Sequence, residues 1–396
     1  MRRIRTFSPG RGIGVLAGCA LVAASLSSTG CGGSPDDLFT DAPVGAGTAN
    51  ERLGRILSAL GDQVALPAYA ALTTAMAGLE GDAAAFCDAP SADRLRTAQA
   101  GWRSAMAAWI SASIPQFGPI RDDNRNLRTE FWPDANNNVP RSVEQLLASA
   151  DPITADQLAT RSVAAQGLPA LEQLLFDPDA DPLAPFLDAT SGRRRCDAVR
   201  AMATNLRGVA ADVETAWRPS RGGYADALAR SGASGGAYPS RATAIEDVVN
   251  SLITVVERTK NDRLGKPLGL DGGSPALARA ESQRSRTSLS NVANALQGLR
   301  RFYLGGDGTE QGFGFDDFLR LGGEGSLDGE IQRLLDDSIS HARALPPSLS
   351  DVVADPARRA EASQLFSEVT QLTQLIKNDL SEATGVVPGF NENDGD

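Results

Sequence analysis

The chain has 396 residues, enough for two domains of ordinary size, and 42% of them are hydrophobic but only 5% aromatic. That Ala-, Leu- and Arg-rich mixture fits packed helices and argues against a β-sandwich. A formal net charge of −11 argues against general nucleic-acid binding, because phosphate repels such a chain and no basic cluster overrides the repulsion.

Residues 1–30 read as an export signal. Arg2, Arg3, Arg5 and Arg11 make a basic start, and residues 14–26 form an apolar run too short to serve comfortably as a permanent span. Ser28-Thr29-Gly30-Cys31 resembles a lipoprotein processing site, with lipid on Cys31 after cleavage. A box ending at Cys19 and an ordinary secretory cut near Gly30 are the alternatives. Each of these readings places the protein outside the cytoplasm. The expected location is the periplasmic side of the envelope, held by a lipid and leaning to the outer membrane. Loss of the four arginines takes the net charge from −11 to −15. Residues 31–47 then form a Gly-, Pro- and Asp-rich tether.

Helical periodicity begins at Asn50. Leu53, Ile56, Leu57, Leu60 and Val64 share a face, and Pro67 is placed to kink the helix. Ser91 is a good N-cap for a second helix, whose stripe is Leu95, Ala98, Trp102, Met106 and Trp109. Residues 115–141 read as a long polar loop, a length uncommon without a function. Short helices follow, then a strong one with Cys196, Val199, Met202, Leu206, Val213 and Trp217 inward. Residues 218–240 are Gly- and Ser-rich and read as a linker. Beyond them the spacing predicts helices over residues 241–262, from Ser274-Pro275 to about Tyr303, over 326–343 and over 356–383. The expectation is an all-α protein: a first helical bundle over residues 48–217, a second over 241–383, and a mobile acidic tail over 384–396.

The stretch Gln166 to Asp177, QGLPALEQLLFD, is the most informative. Pro169 suits a first helical turn, Leu171, Leu174 and Leu175 form an apolar stripe, and Glu172 must face something else. This stretch resembles the imelysin family of bacterial envelope proteins. The family's GxHxxE frame reads here Gly167-Leu-Pro169-Ala-Leu-Glu172, with Pro169 where the family's proposed metal-ligand His stands. Trp102-Arg103, Phe117-Gly118-Pro119-Ile120, Phe131-Trp132-Pro133-Asp134, Arg263-Leu264-Gly265 and Glu281-Ser282-Gln283-Arg284-Ser285 are similar to the family's lipoprotein branch, in the right order. The resemblance implies paired helical bundles with a cleft between them, export, and an association with iron uptake. A peptidase activity once assigned to the family is doubtful for most members.

The single histidine, His341, rules out a two-His zincin site and a two-His-one-carboxylate iron site within one chain. A site of carboxylates and carbonyls for a hard cation stays open, so iron or another cation is the cofactor class to consider, with Glu172 as the metal-facing residue. Arg103, Arg128, Trp132, Asp134, Gly167, Pro169, Glu281, Arg284 and Ser285 complete the candidate ligand site, the carboxylates supplying oxygens and the guanidinium groups orienting them. Glu172 reads equally as a buried acid paired with Arg103, Arg128 or Arg284. The favoured reading is a non-enzymatic lipoprotein that binds a metal-related or small polar ligand. A relic metallopeptidase and a module displayed for an envelope transporter or receptor are the alternatives. Cys87 and Cys196, an even pair in an exported body, are expected to form a disulfide.

Three other motifs carry no weight. Gly232-Ala-Ser234-Gly-Gly236 has the GxSxG spacing but no strand before it. The acidic run from Asp177 to Asp188 has Pro182 where a calcium loop needs Gly. The Gly-rich run from Gly305 lacks the Lys-Ser/Thr of a phosphate loop.

Overall fold

A computed structural model describes residues 47–177, 180–218, 222–307 and 312–389. The export signal, Cys31 and most of the tether lie outside the described residues, as does the end of the acidic tail. Among the described residues there is no β-strand.

The helices in chain order are α1 (Ala49–Ala59), α2 (Leu66–Asp88), α3 (Ala92–Ala112), α4 (Arg125–Thr129), α5 (Asn138–Ala148), α6 (Ala155–Ala159), α7 (Leu168–Leu175), α8 (Ala184–Leu187) and α9 (Gly192–Trp217). Then come α10 (Tyr224–Ala229), α11 (Arg241–Arg258), α12 (Lys266–Leu268), α13 (Ser288–Tyr303), α14 (Phe315–Leu321), α15 (Gly325–Ala344), α16 (Leu349–Val353), α17 (Pro356–Gln374) and α18 (Ser381–Thr384). In the first half α2 packs on α3 and α9, and α7 fills the space between α3, α5 and α9. In the second half α13 packs on α11 and α15, and α17 closes against α11 and α15. The halves meet where α3 lies on α13 and where α1 lies on α11, so one hydrophobic core runs through both.

Local sequence explains most of these elements. Thr48 and Glu51 form a reciprocal capping box at the start of α1. Pro67 removes an amide donor near the start of α2, and the helix takes a π-helical turn over Leu60–Ala65 just before it. The same device recurs before Pro267, where the π-helical turn Thr259–Gly265 buries Asp262, Arg263 and Leu264 together.

Two expectations are corrected. Residues 115–141 are not one loop: they hold two 3₁₀ turns, α4 and the start of α5. No helix begins at Ser274-Pro275. Residues 281–286 are a turn with Ser282 and Arg286 at positive φ (53° and 60°), and α13 starts only at Ser288. The turn is held by contacts distant in sequence, which no local cap signal reveals.

Cys87 and Cys196 are free, buried thiols, so the expected disulfide is not formed in this structure. They are nonetheless neighbours: the Cys87 thiol donates to the Cys196 carbonyl oxygen at 3.6 Å. His341 is half-buried, its Nδ1 3.2 Å from the Glu368 carboxylate.

Candidate functional site

A cavity of about 390 Å³ opens between the two halves. Five pieces of chain wall it. α3 contributes Trp102 and Met106, the strap after α4 contributes Glu130, Phe131, Trp132 and Asp134, the start of α5 contributes Val139 and Pro140 with Asn137 at its cap, α7 contributes Pro169 and Glu172, and the segment before α13 contributes residues 278–284. A larger cavity of about 610 Å³ lies among α2, α3 and α13, lined mainly by small side chains such as Ala68, Ala107 and Gly298. None of the candidate residues lines it.

α7 starts as the sequence implies, with Gly167 in extended backbone at the N-cap and Pro169 in the first turn. Gly167 is required by close approach: a Cβ there would lie 2.5 Å from the Thr129 carbonyl oxygen. That contact seats α7 against the end of α4. Trp102 Nε1 donates to the Leu168 carbonyl at 2.9 Å, fixing α7 to α3 as well. The helix can then bury Leu171, Leu174 and Leu175 only by burying Glu172 with them.

Glu172 is 6% exposed, and its Oε1 accepts the Ser285 backbone N–H at 2.7 Å. Burial raises its pKa above the ordinary carboxyl value, and the Ser285 hydrogen bonds and Arg284 only partly offset that. Three further bonds cross between the halves here. Arg103 Nη2 donates to the Ser285 carbonyl (3.2 Å), Arg284 Nε to the Phe176 carbonyl (2.9 Å), and Trp132 Nε1 to the Arg279 carbonyl (3.3 Å).

Beneath the turn, Glu281 and Arg263 form a fork-to-fork ion pair, Arg263 Nη2 2.8 Å from Glu281 Oε1 and Nε bonded to both oxygens, both side chains almost wholly buried. Burial works against the Arg263 charge, but Glu281 overrides it and holds the guanidinium pKa above its ordinary value. The guanidinium carbon of Arg263 also lies 5.4 Å from the centroid of the Trp132 ring.

Sequence reasoning missed Glu130. It lines the cavity, is 7% exposed, and accepts from Trp109 Nε1 at 2.6 Å through Oε2. Its Oε1 is buried with no hydrogen-bond partner among the described residues. Burial, reinforced by nearby Glu281, pushes its pKa up to about 8 against the opposing pull of Arg263, the Trp109 N–H and Arg258. An acid between Thr129 and Phe131, in a segment rich in aromatic residues, was the available signal.

The structure brings Trp132, Asp134, Pro169, Glu172, Glu281 and Arg284 to the cavity wall. Asp134 also holds the start of α5, accepting the Asn138 and Val139 amides at 2.8 and 2.7 Å. Arg103, Gly167 and Ser285 support the wall from behind. Arg128 is turned elsewhere, donating to Gln166 (3.1 Å) and Asn205 (3.0 Å).

A resident transition metal does not fit these residues. Pro169 offers a ring where an imidazole would coordinate. Both Glu281 oxygens bind Arg263, and Glu172 Oε1 binds an amide. Among the described residues no group of three or more His, Cys, Asp or Glu side chains is placed to hold a metal ion.

The sequence model of the family described as Imelysin matches residues 65–376. A curated relative, "Iron-regulated protein A" of Synechococcus elongatus (strain ATCC 33912 / PCC 7942 / FACHB-805), is 26% identical over 255 residues. That match spans 63% of this chain and 65% of the relative, just under two thirds of its length. The crystal structure of an imelysin-like protein from Psychrobacter arcticum 273-4 superposes with a TM-score of 0.69 at 24% identity, covering 88% of this chain and 99% of that one. A structure from Parabacteroides distasonis ATCC 8503 gives 0.68 at 17% identity, covering 86% and 99%. At these identities the solved structures establish the fold.

Proposed function

The chain belongs to the imelysin family, and on that premise we propose that it is an exported, lipid-anchored binding protein that holds a small polar ligand between its halves as part of an iron-linked process. The observation that carries this reading is the cavity of about 390 Å³ at Glu172, walled by aromatic, carboxyl and guanidinium groups from both halves. Its size sits near the lower end of the roughly 300–1,000 Å³ typical of small-molecule sites. The iron link comes from the relative's printed name. A binding role is favoured over peptide cleavage because neither a metal-bound water nor an activated nucleophile can be assembled from the residues at the cavity.

Native mass spectrometry of protein purified without denaturation is the test. A bound small molecule, lost in Glu172→Gln, is the expected result. A ligand-free protein that cleaves peptides when a divalent metal is added, with the activity lost in Glu172→Gln, would overturn the reading. Lipid attachment is checked separately by palmitate labelling, which Cys31→Ser should abolish. The iron link is checked by the protein's abundance under iron limitation, which should rise.

A further inference from the structure

We infer that the cavity is built for a small organic cation, an alkylammonium or guanidinium group, seated against Glu130. The inference rests on the proposed binding role and deepens it by naming the ligand's chemistry.

Positive charge at the cavity is largely committed. Two arginines line it, Arg279 and Arg284, and two more, Arg263 and Arg103, stand behind its wall; all but one are engaged: Arg263 by Glu281, Arg284 by the Phe176 carbonyl and by Asp177 at 3.6 Å, Arg103 by the Ser285 carbonyl. The remaining one, Arg279, is exposed. An anionic ligand would therefore have to break an existing bond to gain a buried cationic partner. Among the carboxyls, Glu281 is neutralised by Arg263, and Asp134 is used on the amides of α5. Glu130 and Glu172 are left: both are buried, and among the described residues neither is within salt-bridge distance of a cationic group, although Arg284 and Arg103 are near enough to Glu172 to favour its charged form. Glu130 goes further, since its buried Oε1 has no hydrogen-bond donor among the described residues. A buried acceptor without a donor costs free energy that a ligand N–H would recover.

The walls agree. Trp102 and Trp132 present aromatic surface to the same cavity, which attracts cations, and Trp132 already lies near the Arg263 guanidinium. The pKa of Glu130 is raised first by burial and then by Glu281, and Arg263 and Arg258 do not offset them. The charged groups around it are Glu281, Arg263 and Arg258, with Trp109 as its hydrogen-bond donor. A cation arriving at neutral pH would displace the proton from Glu130, so binding should tighten as pH rises and should release a proton.

The test uses the whole folded protein with n-butylamine, 1,4-diaminobutane and methylguanidine as probes, against potassium chloride, sodium butyrate and n-butanol. At least one cationic probe should raise Tm and bind at least tenfold more weakly to Glu130→Gln, which preserves the acceptor for Trp109. Calorimetry of the unmodified protein in buffers of different ionisation enthalpy should show proton release, a readout that does not depend on the variant folding. Equal stabilisation by butyrate or butanol, cation binding without proton release, or no response to any cationic probe would overturn the inference. The binding reading is judged separately: an anion or neutral ligand found by native mass spectrometry, and dependent on Glu172, would keep that reading and sink this one.

Discussion

Glu130 makes stability depend on pH in a direction opposite to that of an ordinary salt-bridged carboxylate. Its folded-state pKa is raised to about 8 from 4.5, first by burial and then by Glu281. Between those values the unfolded chain gives up the proton while the folded chain keeps it. The folded state binds more protons, so this group's contribution is complete below about pH 4.5 and is lost as pH rises towards 8. At about 1.4 kcal/mol per pH unit the loss reaches roughly 5 kcal/mol. Glu130→Gln removes the titrating proton and retains an oxygen for the Trp109 N–H. Urea unfolding at half-unit steps from pH 5 to pH 9, on both proteins, isolates the group, because every other titration is common to both. The difference in unfolding free energy should move in favour of the variant by several kcal/mol over that range and level off above pH 8. Two curves that stay parallel from pH 5 to pH 9 would refute the assignment of a protonated, uncompensated acid at the cavity floor.

Four other outcomes follow from the geometry. Gly167→Ala should lower stability by a few kcal/mol, about the scale of overpacking a close contact, because its Cβ would lie 2.5 Å from the Thr129 carbonyl oxygen; an unchanged Tm would show that α4 and α7 can separate freely. Glu281→Gln leaves Arg263 buried without its charge partner and should cost about 3–5 kcal/mol by chemical denaturation, well above the effect of Asp337→Asn on the exposed Arg333 pair; equal effects would refute the argument from burial. Mild oxidation should join Cys87 to Cys196, since the side chains are already neighbours. The closed loop of about a hundred residues should add about 4–5 kcal/mol, seen as a higher Tm without reductant; two titratable thiols after oxidation would refute it. Pro169→His puts an imidazole one helical turn from Glu172 and should create a Tm rise with zinc that the parent lacks; no zinc response would mean that Pro169 is not what excludes the metal.

Much of the fold was legible because helical burial is periodic. The stripe Leu95, Ala98, Trp102, Met106 and Trp109 is buried as its spacing demands. Gly167 and Pro169 marked the start of α7, and the proline sits in the first turn as expected; the close approach to the Thr129 carbonyl that requires the glycine is visible only in the structure. What stayed hidden depends on partners far away in the chain. Glu130 acquires its character from Trp109 on α3 and from Glu281, 151 positions further along the numbering. Arg263 matched the family pattern, but nothing local announces that a π-helical turn will bury its charge against Glu281.

The misread helix at Ser274-Pro275 shows why the cavity leaves so faint a trace in the sequence. The cross-connections from Glu172, Arg103 and Trp132 end on backbone atoms of residues 279–285, and the return bond from Arg284 ends on a backbone carbonyl. Backbone groups are offered by every residue type, so this wall places little demand on side-chain identity. It demands a conformation instead: two non-glycine residues, Ser282 and Arg286, at positive φ, each a departure that costs on the order of 1–3 kcal/mol unless its surroundings compel it. The compelling surroundings are the Arg263–Glu281 pair beneath and the Glu172 acceptor across the cleft. Glu172 therefore keeps a structural duty that does not need an imidazole three residues before it, and this is the physical reason its carboxylate can persist beside Pro169.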